Sequence, residues 1–227
     1  MQETSSRVSE RQAPVLESIA PGVESWTTKD RAQFRAFAVH KEGQVVLIDP
    51  VPLDADEEKA IRALGNVAAV LLTCYWHERA TAETAARFGV PLYAHPDAIA
   101  RLESKTAQPF PAQLPLGLEL LDASGSTPGE VAFYLPDNGG AIIVGDSWHN
   151  IPLTRMPLPV RLILKFAIKL RDGLHLYPPS KAHDSQALIR QSREWLQRPV
   201  ERLIVSHGDC LNHGAKDPML ARLNQGA

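Results

Sequence analysis

Cysteine is scarce in this chain of 227 residues, with one at position 74 and one at position 210. Two cysteines cannot staple a disulfide-rich scaffold, so stability has to come from a buried core. A chain of this length can bury one as a single α/β domain over residues 15–227, behind a polar, flexible segment at residues 1–14. Excess charge is also lacking. Lys and Arg total 24 against 26 Asp and Glu, a net charge of −2, which excludes a surface built to grip nucleic acid. No run of about 20 apolar residues exists, so no membrane span is expected. The first 13 residues are polar and charged and lack the apolar stretch of a secretory leader. With few cysteines as well, a reducing cytoplasm is the expected location. The chain has no G-x-G-x-x-G, no G-x-x-x-x-G-K-[ST] and no G-x-S-x-G, which removes the main support for nucleotide binding and for a serine nucleophile elbow. No internal repeat or low-complexity stretch is visible.

What is present is ordinary globular composition, 44% hydrophobic and 22% charged, together with eight histidines. Two strands are expected at residues 34–40 and 44–48, around the turn Lys41–Glu42–Gly43. A helix follows at 54–64. The apolar run 67–72 reads as a strand buried on both faces. A helix at 80–88 closes on Gly89, and a short strand follows at 90–94. The proline-rich stretch 109–116 reads as an irregular connection. Strands are expected at 118–121, 130–135 and 141–144, the last two joined by an Asn138–Gly139–Gly140 hairpin turn. A helix at 185–196 and a strand at 202–206 complete the pattern. Hairpins, then alternating strands and helices, then hairpins again suit mixed sheets covered by helices. A further helix, running from Val160 to Leu170, is apolar apart from Arg161, Lys165 and Lys169, which recur every four residues. Its plain reading is a buried helix with a solvated edge. A lid, a homodimer contact and a membrane-surface helix are the other readings.

Five polar motifs follow apolar strands directly: LIDP (47–50), LLTCYWHERA (71–80), STPGE (126–130), IIVGD (142–146) and LIVSHGD (203–209). Loops held by a rigid scaffold are where functional residues collect, so five such motifs suggest one shared cleft. Their order and spacing, with RFGVPLYAH (87–95), resemble the metallo-β-lactamase fold superfamily over residues 25–211. The resemblance implies a four-layer αββα sandwich, with the site at one edge between the sheets. It also implies one or two metal ions, usually zinc or iron, that activate a water and polarise the substrate.

At the ligand positions the chain departs from that pattern. The histidine motif falls on Cys74, Trp76, Glu78 and Arg79, and the histidine of the TPGH turn falls on Glu130. The bridging aspartate, Asp146, and the last histidine, His207, match in kind. His77 lies one residue out of register. An indole nitrogen only donates, so Trp76 cannot ligate, and a guanidinium offers no lone pair at physiological pH. Cys74, Glu78, Glu130, Asp146 and His207 remain ligands by residue type.

Three readings follow. In the first the centre is eroded and holds little or no metal; Arg79 stands in for the cation, paired with Asp146 and with Glu78 or Glu130. In the second, Cys74, Asp146 and His207 hold one zinc or iron ion, with Glu78 or Glu130 as general base, in a hydrolase of an ester, thioester, lactone or similar acyl bond. In the third the cleft binds a small-molecule ligand without catalysis, or the 160–170 helix drives assembly. The plainer readings stand beside these. Cys74 and Cys210 near one rim are an ordinary pair of free thiols, His77 starts a helix, and His149 sits half-exposed on a loop. His95 has a structural role, while His40, His175, His183 and His213 carry no motif. Trp76 fills the void of lost imidazoles or forms a stacking wall. The resemblance makes Asp49 a support for the histidine motif; with those histidines gone, it has only loop amides to hold.

Overall fold

The computed structural model describes residues 15–28, 34–166 and 171–225. A seven-stranded sheet begins as a meander of β1 (Glu17–Ala20), β2 (Val23–Thr27), β3 (Arg35–Lys41) and β4 (Gln44–Ile48), each antiparallel to the one before. It continues in parallel through β5 (Asn66–Leu71), β6 (Leu92–Ala94) and β7 (Gln108–Pro109). The parallel strands need crossovers, supplied by α1 (Ala55–Leu64), α2 (Thr81–Phe88) and α3 (Pro96–Ile99). Asp54 starts α1 with a capping box: its carboxylate accepts from Glu57 N, and the Glu57 carboxylate accepts from Asp54 N, both at 2.8 Å. Gly89 ends α2 in the left-handed conformation, φ +68°.

The second sheet has the order β13-β10-β9-β8. Its members are β8 (Glu119–Asp122), β9 (Val131–Leu135), β10 (Ala141–Val144) and, after the separate antiparallel pair of β11 (Trp148–Ile151) and β12 (Gly173–Leu176), β13 (Arg202–Val205). The helices α4 (Leu158–Phe166), α5 (Ser185–Trp195) and α6 (Lys216–Asn224) belong to this half of the chain.

Side-chain alternation sorts these elements into four layers. Val46 and Ile48 of β4 meet Phe133, Ile143 and Ile204 of the second sheet, together with Phe37, Val39 and Leu71. Val45 and Leu47 point the other way, onto Ile61 of α1, Ala85 of α2 and Ala98 of α3. On the far side, Ile142 and Leu203 pack on Leu188 and Trp195 of α5 and Met219 and Leu223 of α6. From Val45 to Ile48 strand β4 is therefore apolar and buried on both faces, and each such side chain contributes about 1.5–3 kcal/mol. The αββα sandwich expected from the sequence is the architecture of the described residues.

Several elements differ from the sequence reading. The strands β1 and β2, the pair β11–β12 and helix α6 were not expected, because each is short or mixed in polarity and gains its partners only in the folded chain. The run at β5 is buried on both faces only from Ala69 onward. The largest correction concerns α4. No residue of Leu158–Phe166 is buried; Leu158, Val160, Leu162, Ile163 and Phe166 are all exposed, Phe166 at 71%. The plain reading as a buried helix is overturned for this part, while the rest of the stretch, Lys169 included, lies outside the described residues, as do residues 1–14.

Candidate metal centre

The C-terminal ends of β4, β5, β10 and β13 come together at one edge. Asp49 N donates to Leu71 O, Val131 N to Thr73 O, and Ser206 N to Val144 O. Asp49 leaves β4 with φ +50°, a left-handed conformation costly for a residue with a side chain. That bend aims its buried carboxylate at the loop after β5. Oδ1 accepts from Thr73 N at 2.8 Å, Oδ2 accepts from Thr73 Oγ1 at 2.6 Å, and His77 Nδ1 lies 2.7 Å from Oδ2. The loop turns as one 3-10 turn, Tyr75–His77, which swings His77 inward and Trp76 outward. His77 is 2% exposed and Trp76 62%. Trp76 therefore does not fill a void.

His77 Nε2 points to Asp146 Oδ1 at 3.3 Å, and His207 Nε2 reaches the same oxygen at 3.0 Å. Cys74 Sγ lies 3.9 Å from Asp146 Oδ2. Cys74, His77 and Asp146 each offer a ligand atom, all within 4.8 Å of one another. The approach is close because residue 145 is glycine: a Cβ there would lie 2.3 Å from Thr73 Oγ1.

Electrostatics follow from burial and pairing. Burial alone would lower His77, but Asp49 and Asp146 hold its pKa up at about 9. Burial would raise Asp146, yet His77 and His207 keep it well below the usual carboxylate range. Burial, with Asp146 nearby, pushes the Cys74 thiol well up. Burial and Asp146 also raise Glu130 to about 8. The hydrogen bonds agree with a neutral Glu130. Ser126 Oγ lies within bonding distance of both Glu130 Oε2 and Ala123 O. It has one proton to give, so a protonated Oε2 donating to it satisfies both contacts. Glu130 Oε1 accepts from Asp146 N at 2.9 Å and Ser147 N at 2.6 Å.

The residues singled out from the sequence thus separate. Cys74, Asp146 and His207 are brought together. Glu130 is fully buried behind Asp146 and braces its backbone. Glu78 faces away, accepting from Glu103 N at 2.9 Å and Ser104 N at 2.7 Å. Arg79 does not pair with Asp146, Glu78 or Glu130. Its guanidinium lies over the Phe34 ring, 4.3 Å from the centroid, and donates to Arg35 O at 3.4 Å. Cys210 is free and has its own surroundings, beside Arg35 Nη1 at 3.4 Å.

Two histidines of the cleft were undervalued from sequence. His77 is its best-held imidazole. The signal was Asp49: a carboxylate at a strand end, with His77 the lone histidine of the neighbouring motif. His149 lies on β11 rather than on a loop, 5% exposed, its ring 5.6 Å from His207 and 5.7 Å from His175. Beside it a cavity of about 680 Å³ opens, bordered by His207, Tyr177, Phe34 and Arg35.

No family model and no curated protein sequence matches the chain. Solved structures do. DIM-1 metallo-β-lactamase is similar over 93% of this chain and 97% of its own, at 16% identity and a TM-score of 0.64. A metallo-β-lactamase from Pontibacter korlensis covers 93% and 99%, at 17% identity and a TM-score of 0.63. This chain has the metallo-β-lactamase fold. A di-iron-bound form of TTHA1623 is similar too, over 83% of this chain and 93% of that one, at 23% identity and a TM-score of 0.57. The metal that this fold implies can be tested against the donors present. A thiol, an imidazole and a carboxylate converge here, with a second imidazole on the same carboxylate, and that mixture suits zinc or iron. The present residues fit one ion.

Proposed function

We propose that this metallo-β-lactamase-like protein holds one zinc or iron ion on Cys74, His77 and Asp146, with His207 beside them, and hydrolyses an acyl bond of the ester, thioester or lactone type. One observation carries the reading. Asp49 pins His77 Nδ1 at 2.7 Å, which turns Nε2 toward Asp146, 3.3 Å away, and the neighbouring Cys74. A carboxylate behind an imidazole is the usual outer support of a metal-bound histidine. When bound, such an ion lowers the pKa of a water and polarises a carbonyl. This chain's own residues do the rest. Glu130 fixes the Asp146 backbone through two accepted N–H bonds. His207 and His149 border the cavity that would receive the substrate, and Phe34 and Tyr177 give it aromatic walls.

Metal analysis of protein purified without chelator tests this. The expected result is close to one equivalent of zinc or iron, lost in Cys74→Ala and His77→Ala. Metal-free protein overturns it. A second reading then takes its place, the eroded and metal-free centre, favoured by a different contact set from the one first expected. His77 is held at both ring nitrogens by Asp49 and Asp146 and acts as the internal cation, a part that Arg79 does not play. The cleft would then bind a small molecule without metal chemistry.

The reading extends to the rest of the molecule. Residues 15–227 act as one domain, supported by the apolar layer shared between the two sheets. Self-association through α4 is supported by its exposed apolar side chains. A reducing, cytoplasmic setting is supported by two free cysteines. No helix among the described residues is long and apolar enough to cross a membrane.

A further inference from the structure

A second cavity, of about 720 Å³, lies beside α4 and β12. Four cations border it: Arg161, Lys165, Arg171 and Arg222. One carboxylate, Asp172, borders it as well, and its Oδ1 already accepts from Thr154 N at 3.0 Å. Among the described residues none of the four cations has a carboxylate within ion-pair distance. Arg171 lies near enough to Arg222 to help burial lower its pKa, so two guanidiniums face each other without a shared acid. Two polar atoms on this lining are buried and lack a hydrogen-bond partner, Arg222 Nε and His175 Nδ1, and His175 is only 3% exposed. The rest of the wall is mostly apolar, from Leu153, Leu176, Pro178 and Pro179, with Thr154 and Ser180 among them.

Like charges gathered around a recess repel one another, and folding tolerates that arrangement readily when an anion completes it. Net charge chooses among anions. Four cations against one acid call for more than the single charge of a carboxylate, whereas a phosphate ester carries about −1.5 to −2 at neutral pH. Arginine forks bind such oxygens in pairs. The leucine and proline wall asks for an apolar body on the same molecule. We propose that this cavity binds a small phosphate ester, with its phosphate among Arg161, Lys165, Arg171 and Arg222 and its apolar part against Leu153 and Leu176. The proposal goes beyond the metal-centre reading and does not depend on it.

Titration calorimetry with hexyl phosphate tests it, on the protein as purified and again after dialysis against chelator. Binding is expected in both preparations, weakening as salt rises. Each of Arg171→Gln and Lys165→Gln is expected to weaken it by about tenfold or more. Lys165 sits on the exposed face of α4, so its variant keeps the fold, and an unchanged melting temperature verifies that for both. Hexanoate and inorganic phosphate are expected to bind more weakly than hexyl phosphate, the first for want of charge and the second for want of an apolar body. Four results overturn the proposal: no binding at millimolar ligand; binding that both variants leave unchanged; binding lost with the metal, which puts the phosphate at Asp146; and binding to vesicles of phosphatidylcholine and phosphatidylglycerol but not to monomeric hexyl phosphate, which makes α4 a lipid-surface helix instead.

Discussion

Asp49 decides what His77 can do. Its carboxylate accepts from Thr73 twice and from the imidazole once, so it sets both the loop path and the ring orientation. Asp49→Asn keeps the shape but turns one acceptor oxygen into an NH2 group. Zinc affinity, read by competition with a coloured chelator, is expected to fall about 10–100-fold. An unchanged affinity would remove His77 from the ligand set. His175 permits a pH prediction at a distance from the ligands. Burial lowers its pKa from the ordinary 6.5. The folded state therefore carries fewer protons here than the unfolded state over the interval just below 6.5, and stability rises with pH there. Conversely, stability is lost as pH falls through the folded pKa. His175→Gln is expected to flatten the acid side of the melting-temperature profile between neutrality and mildly acid pH, and an identical acid slope would refute this.

At the scale of elements, the 3-10 turn Tyr75–His77 explains why a linear register does not show which of its side chains faces the cleft. Aligning the motif by spacing puts Trp76 on a ligand position and His77 beside it. The turn sends residue 76 to solvent and residue 77 to the centre, a rotation that spacing alone does not contain. The end of β10 matters equally. Gly145 lets that strand run against Thr73 and His77, with His77 Cε1 only 3.4 Å from where a Cβ would lie. Gly145→Ala is expected to destabilise by about 1–3 kcal/mol, as overpacking does, and to lower metal content together with the melting temperature. A variant with unchanged stability shows that the loop can yield. Helix α4 was legible as a helix but not as an exposed one. Its apolar spacing is what a buried helix would show, and only the absence of a covering layer in the described chain distinguishes the two.

The whole molecule rests on the layer between its sheets. Phe133 is fully buried there, with Phe110 edge-on at 5.8 Å between ring centroids. Phe133→Ala is expected to cost about 3–5 kcal/mol while leaving a single unfolding transition, and two separated transitions would divide the chain into independent units. If α4 joins copies, Phe166→Glu returns the protein to the monomer mass in sedimentation, and a wild type already monomeric at high concentration removes that reading.

By itself the sequence determined that mixed sheets are covered by helices, because apolar alternation, caps and turn glycines are local signals. The four-layer order came from the resemblance carried by the strand-end motifs, and the exposed face of α4 was not legible at all. The five strand-end motifs likewise pointed to one shared cleft, because chain order along two sheets places their ends together. Only the tertiary structure decided which side chains meet. Whether Arg79 pairs with Asp146 or lies on Phe34, whether Glu78 turns inward or braces a loop, and whether His77 faces solvent or Asp146 all depend on how the loop after β5 turns. These are matters of a few ångströms between segments distant in sequence, and residue spacing along the chain does not encode them.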